Sequence, residues 1–120
     1  MTDPVARMRA DLTAAMRARE QGVVRVLRST LAAVANAEAH PVDHSAPSSS
    51  GGGRIAGAVA GLGAAEVDRR ELSPADVRAI IEAERDERLR GAADLEQRGA
   101  AEHADSLRAD AGVLERYLAT

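Results

Sequence analysis

Apolar residues recur every three or four positions along most of this chain, the spacing of one face of an α-helix. A first helix is predicted to begin at Asp3-Pro4, because aspartate caps helix N-termini and proline suits the first helical position. Gln21-Gly22 interrupts the pattern, and a second helix is predicted to run to about Ala39, with Pro41 ending it. The apolar positions of the first helix are Val5, Met8, Leu12, Ala15 and Met16.

The second helix carries an apolar stripe that includes one charged residue. Arg28 lies on the flank of this stripe. The two helices together predict a helical hairpin over residues 1–39. The stripe consists of Val24, Leu27, Leu31, Val34, Ala35 and Glu38.

Two further helices are predicted in the second half of the chain. Ser73-Pro74 with Asp76 is a typical start, in which serine caps and the carboxylate completes a capping box. This third helix should run to about Arg98, with Gly99 as its stop. No alternating strand pattern occurs, so we expect an all-α fold, a small four-helix bundle. The fourth helix, residues 101–118, has a seam of Ala104, Leu107, Ala111, Leu114 and Leu118.

Charged residues interrupt the stripe of the third helix. Glu84 and Arg88 form an i, i+4 pair in the favourable order. Because an unpaired buried charge is costly, Arg28, Glu38, Glu84 and Arg88 should contact each other or stay near water. A structural ion-pair cluster is the favoured interpretation, ahead of a partner- or ligand-binding polar site and of a catalytic site. The full stripe is Val77, Ile80, Ile81, Glu84, Arg88, Ala92 and Leu95.

Residues 40–72 differ from the rest in being rich in glycine, serine and proline, and they include GGGRIAGAVAGLGAAE at 51–66. A Walker phosphate loop is excluded because the chain contains no lysine, and the spacing does not fit the dinucleotide pattern G-x-G-x-x-G. The uncharged run 55–65 is about half of the roughly 20 residues that a bilayer requires. We predict a flexible connector. The alternative is a short helix packed on the main body through Ile55, Val59 and Leu62.

Composition limits the core to one small domain. The 120 residues include one tyrosine and no phenylalanine or tryptophan, so the core is thin and self-association would enlarge it. There is no cysteine for disulfides or thiolate metal sites. No signal peptide or membrane-spanning segment is visible, so a cytoplasmic location is expected.

The charge is distributed unevenly. The net charge is −3, which is unlike a strongly basic nucleic-acid binder, so any phosphate contact must be local. The best place is the arginine group around the first turn, where the competing interpretation is an ordinary solvated helix surface. This group consists of Arg17, Arg19, Arg25 and Arg28.

Little in the sequence supports catalysis. The chain has no cysteine nucleophile, and a Ser-Ser-Lys amidase set is impossible without lysine. His40, Asp43 and His44 offer only two nitrogens and one carboxylate, too few for a typical metal site. No catalytic residue, metal or cofactor is therefore predicted.

Three segments of the predicted helices, taken in order, resemble the GatB/YqeY family. They are VLRSTLAAVANAEA (26–39), LSPADVRAIIEAERDER (72–88) and LRADAGVLERYL (107–118). The family pattern runs from an arginine-bearing helix ending in Asn-x-Glu, through a capped helix with Glu-x-x-x-Arg, to a helix ending in Tyr-Leu. The matching positions are Arg28, Asn36, Glu38, Glu84, Arg88, Tyr117 and Leu118.

The resemblance implies an all-helical body related to the helical region of the B subunit of glutamine-dependent tRNA amidotransferase. In that enzyme this region and the following tail domain help to hold tRNA, whereas amide transfer and ATP use happen elsewhere. Stand-alone members inherit the label of carbon–nitrogen ligase with glutamine as amido-nitrogen donor. Here the connector replaces a short family turn, and the three-helix tail domain linked with tRNA contact is expected to be absent. Direct tRNA binding is therefore left open.

Two hypotheses follow. In the first, the chain is an accessory module near tRNA or a tRNA-linked protein complex, with Arg17, Arg19 and Arg25 contacting phosphates. In the second, it is a structural protein–protein interaction module or homodimer with no nucleic-acid role. The favoured interpretation is a non-catalytic interaction module with a family link to tRNA-dependent amidation and no membrane partner.

Overall fold

The computed structural model describes residues 3–39 and 71–119, and this part of the chain is all-α. Within these ranges no strand is present. The predicted all-α bundle is confirmed, whereas the predicted connector lies outside the described residues except at positions 71 and 72. The four described helices are α1 (Pro4–Ala18), α2 (Gln21–Ala39), α3 (Pro74–Gln97) and α4 (Ala101–Leu118).

The chain divides into two units. The first joins Met1–Val34 to Ser73–Thr120 and therefore contains α1, most of α2, α3 and α4. The second is Ala35–Leu72. Only its two ends, residues 35–39 and 71–72, lie within the described ranges. The packing described below is that of the first unit.

Local hydrogen bonds explain where α1 and α3 begin. The Asp3 carboxylate accepts a hydrogen bond from the backbone N–H of Val5 at 3.3 Å, and Pro4 opens α1. At α3, the Ser73 hydroxyl accepts from the Asp76 N–H, and the Asp76 carboxylate accepts from the Ser73 N–H, both at 3.0 Å. This reciprocal pair satisfies two N–H groups that the helix leaves free. Both predicted starts are confirmed.

The turn between α3 and α4 depends on a glycine. Gly99 adopts φ +84°, a left-handed conformation that costs glycine little. Its N–H donates to the carbonyl of Glu96 at 3.0 Å, and the N–H of Ala100 donates to the carbonyl of Leu95 at 2.9 Å. These two bonds are those of a Schellman motif, which satisfies the last carbonyls of α3. The predicted stop at Gly99 is confirmed.

The first turn comes earlier than predicted. Arg19 takes the left-handed conformation, with φ 60°, and α2 begins at Gln21 with Gly22 already in its first turn. The N–H of Arg19 donates to the carbonyl of Met16 at 3.2 Å, and the N–H of Glu20 donates to the carbonyl of Ala15 at 2.9 Å. The interruption predicted at Gln21-Gly22 is therefore wrong by two residues. The two hydrogen bonds offset the cost of about 1–2 kcal/mol for a non-glycine residue in this conformation.

The core of the first unit is aliphatic apart from one tyrosine. The seams predicted for α3 and α4 largely lie inside, but the stripes of the first two helices are partly wrong. Met16 is 49% exposed, and α2 buries Val26 and Thr30. Of its predicted stripe, Val24 and Leu31 are only half-buried and Ala35 is exposed. Valines and leucines of α2 occur on several sides of the helix, so their spacing alone did not show which side would be buried. The buried apolar residues are Val5, Met8, Ala15, Val26, Leu27, Val34, Val77, Ile81, Ala92, Ala104, Ala111, Val113, Leu114, Tyr117 and Leu118.

Candidate functional site

Arginine side chains surround a depression beside the turn that joins α1 to α2. The turn ends α1 at Ala18, and the next helix presents Arg25 and Arg28 on the same side as Arg19. The depression has a volume of about 610 Å³. We call it the arginine groove, and its lining residues are Met16, Arg19, Gln21, Val24, Arg25 and Arg28.

The arginines of this turn have no carboxylate partner among the described residues. Arg17, Arg19 and Arg25 are exposed and form no ion pair there. The side chain of Arg28 instead approaches a sulfur, with its Nη2 3.8 Å from Sδ of Met16. Their positive charge is therefore available to an external anion.

Arginines of α3 and α4 contrast with this arrangement. Arg78 pairs with Glu82 at 3.3 Å and Arg98 with Asp94 at 3.4 Å. Arg85, Arg88 and Arg108 also have carboxylate partners. Acidic side chains thus pair with five of the seven arginines between Pro74 and Leu118, whereas Arg90 and Arg116 form no ion pair among the described residues. The α1–α2 turn differs in bringing several arginines without an ion pair to one depression.

A second, more acidic depression contains the predicted ion pair. Arg88 Nη1 donates to Glu84 Oε1 and to the Glu84 carbonyl, both at 2.9 Å. The Ser29 hydroxyl donates to the same carboxylate oxygen at 3.4 Å, which ties α2 to α3. We call this depression the polar groove, and it is lined by Ser29, Glu84, Glu87, Arg88, Gly91 and Leu107.

The structure separates residues that the sequence grouped together. Arg28 lines the arginine groove, whereas Glu84 and Arg88 line the polar groove. Glu38 lies half-buried near the end of α2, in the second unit. Arg17 is exposed in the last turn of α1 and does not line the arginine groove. Of the arginine group predicted around the first turn, Arg19, Arg25 and Arg28 therefore share a depression, and Arg17 does not.

Sequence reasoning missed several polar contacts. The hydroxyl of Tyr117 donates to the Asp11 carboxylate at 2.5 Å, and the guanidinium carbon of Arg7 lies 4.9 Å from the centre of the tyrosine ring. Burial and then the hydrogen bond to Asp11 raise the pKa of Tyr117 above its ordinary value, against a smaller opposing effect of Arg116 and Arg7. No sequence signal identified Asp11, because it is separated from Tyr117 by 106 positions.

Neither a metal cluster nor a membrane span occurs in the described part of the chain. In residues 3–39 and 71–119, no three histidine, cysteine, aspartate or glutamate side chains are placed to hold an ion together. His40, Asp43 and His44 lie outside these ranges. No described helix is both long enough and apolar enough to cross a bilayer.

Three comparisons with known proteins complete the description of the site. No protein-family model, no curated protein and no solved structure matches the chain. The resemblance to the GatB/YqeY family therefore stays a prediction from residues 26–39, 72–88 and 107–118. What the chain does must be argued from its own surfaces.

Proposed function

We propose that this chain is a non-catalytic helical interaction module of the GatB/YqeY kind whose arginine groove binds the phosphate groups of RNA. One observation supports this most directly. The groove brings Arg19, Arg25 and Arg28 together without an ion pair to a carboxylate among the described residues, whereas five of the seven arginines between Pro74 and Leu118 are paired.

Guanidinium groups suit phosphate for geometric and electrostatic reasons. Each presents a planar set of N–H donors that matches two phosphate oxygens, and it stays charged at any physiological pH. An arginine already paired with a carboxylate would have to break that pair first. The unpaired groups of the arginine groove avoid this cost.

The overall charge favours a restricted contact. With a net charge of −3 the chain as a whole does not attract polyanions, so we expect binding to concentrate at the basic turn. RNA is proposed as the polyanion because of the resemblance to a helical region that helps to hold tRNA. The link to tRNA-dependent amidation is part of the same proposal.

A homodimer is less well supported. Among the described residues the exposed large hydrophobic side chains are Met16, 49% exposed, and Leu89, 38% exposed. A stable dimer typically buries about 800 Å² on each partner around an apolar centre. Two exposed apolar side chains, one of them in the arginine groove, do not provide the apolar centre of such an interface.

The proposal predicts salt-sensitive binding of RNA. Fluorescence anisotropy of labelled tRNA should show saturable binding at low salt that weakens steeply towards physiological salt, and duplex DNA should bind less tightly. Replacing two groove arginines, Arg25→Gln with Arg28→Gln, should weaken binding and reduce the slope of log affinity against log salt by about two.

A matched control changes the same charge elsewhere. Arg78→Gln with Arg98→Gln removes two exposed arginines, one within α3 and one directly after its last residue, that pair with carboxylates. This variant should keep an affinity near that of wild type. Thermal melting would verify that both variants fold. The proposal is overturned if wild type binds no RNA at low salt, or if the control loses as much affinity as the groove variant.

A further inference from the structure

We infer that the arginine groove binds an unpaired nucleotide in preference to the backbone of a base-paired duplex. This inference rests on the proposed function, because it specifies the form of RNA that the same groove binds. Its basis is the apolar part of the groove lining, which we call the floor and which phosphate contacts alone do not explain.

The floor is formed by a methionine and a valine. Met16 is 49% exposed, although its position in α1 would allow it to join the core. Val24 is half-buried beside it in the groove. A duplex backbone presents charged phosphates and sugars, so it would leave this apolar surface without a suitable partner.

An unpaired base suits both components of the groove. A thioether packs favourably on an aromatic ring, and a guanidinium plane stacks on bases that are exposed in single strands. Met16 Sδ and Arg28 Nη2 are 3.8 Å apart, so the two side chains are in contact and can stack on the same base. If a base stacks on Met16 and Arg28, Arg19 and Arg25 remain available to bind the phosphate of the same nucleotide.

Size and charge agree with this occupant. The volume of about 610 Å³ lies within the range of about 300–1,000 Å³ that is usual for small-molecule sites. The polar groove is a poor alternative, because Glu84 and Glu87 would repel a phosphate there. The only tyrosine of the chain, Tyr117, is buried against Asp11, so methionine and arginine must supply the stacking surface.

The test compares one RNA strand in two states. A labelled strand of about ten nucleotides, comparable with known single-strand site sizes, is titrated alone and after annealing to its complement, at the same salt concentration. Wild type should bind the single strand more tightly by about threefold to tenfold, the scale of a sulfur–ring contact. Met16→Gln, which preserves helix propensity, should remove this preference by weakening the binding of the single strand more than that of the duplex.

Leu89→Gln is the matched control, because it exchanges an exposed apolar side chain on α3, and it should keep the preference. Equal binding of both RNA forms by wild type would overturn the inference and leave the proposed function standing. The inference would also be overturned if Met16→Gln lost affinity for the single strand and the duplex by the same factor. No binding of either form would overturn the proposed function itself. Binding of poly-glutamate as tight as that of the single strand would show that the groove selects acidic peptide rather than nucleic acid.

Discussion

Among single residues, Glu84 and Arg88 form an ion pair whose two charged groups are both largely buried. The Glu84 side chain is only 20% exposed and that of Arg88 only 15%. Arg88 also donates a hydrogen bond to the backbone carbonyl of Glu84. Ser29 supplies a further donor from α2. Loss of the carboxylate would leave a guanidinium with little access to water, which is the costly situation for a charged group.

Replacing the carboxylate should therefore destabilise the fold. Glu84→Ala is expected to lower the free energy of unfolding by about 1–3 kcal/mol, and Glu84→Ala with Arg88→Ala should recover part of this loss because no charge is stranded. Urea denaturation would measure both. Asp94→Ala is the control, since its pair with Arg98 is 58% and 73% exposed and should contribute about 0.5 kcal/mol or less. If both Glu84 variants unfold like wild type, the pair has no structural role.

Tyr117 is a second residue whose surroundings decide its chemistry. Burial and the hydrogen bond to Asp11 raise its pKa, so the folded protein keeps the phenolic proton to a higher pH than the unfolded chain does. The stabilisation from this difference is fully present below about pH 10, the ordinary tyrosine pKa, and is lost as the pH rises above it. The chain has no lysine, no cysteine and one tyrosine, so no other side chain ordinarily titrates near that pH.

Alkaline unfolding should consequently report Tyr117 alone. The free energy of unfolding of wild type should fall as the pH rises through about 10–11, whereas Tyr117→Phe should lack this slope and be less stable by about 1 kcal/mol at neutral pH. Urea denaturation across this pH range, with tyrosinate absorbance as a second signal, would measure both effects. An identical alkaline slope in Tyr117→Phe would show that the tyrosine is not the group responsible.

Among the helices, a glycine of α3 lies close to a side chain of α4. A Cβ atom built on Gly91 would lie 3.1 Å from Cδ1 of Leu107, whereas one built on Gly112 would meet no described atom within 4 Å. Both glycines lie inside helices, where glycine is less favourable than alanine. The two positions therefore separate helix propensity from packing between helices.

Alanine at these positions should have different effects. Gly112→Ala should raise the free energy of unfolding by about 0.5–1 kcal/mol, the usual gain in helix propensity. Gly91→Ala should raise it less, because Leu107 must move by a few tenths of an ångström to admit the methyl group. Thermal denaturation of the two variants side by side would measure the difference. Equal stabilisation by both would mean that the close approach at Gly91 has no energetic consequence.

At the scale of the whole molecule, the positions of the arginines and acids matter more than their totals. The net charge is −3, and the paired arginines of α3 and α4 contrast with the unpaired ones of the arginine groove. The RNA binding proposed above belongs to this scale, because the salt dependence of a single basic turn on an acidic chain is set by the few phosphates that the turn contacts. A uniformly basic protein would show a steeper one.

Residue order alone was enough to predict most of the helix boundaries. Caps and stops are local: the Asp3 and Ser73 side chains bond N–H groups two or three residues away, and Gly99 takes a conformation that few other residues tolerate. The i, i+4 pair of Glu84 and Arg88 is local in the same sense. Such features depend on neighbours in the chain, so residue order was sufficient to predict them.

The contacts between helices, in contrast, could be read only from the folded chain. It left Met16 exposed, gave the Glu84 carboxylate a donor in Ser29 and brought Tyr117 to Asp11 across 106 positions. These outcomes depend on how separate helices are placed against one another, and helical periodicity limits that choice without making it. The arginine groove arises in the same way, from an early turn at Arg19 that the sequence pattern placed two residues later.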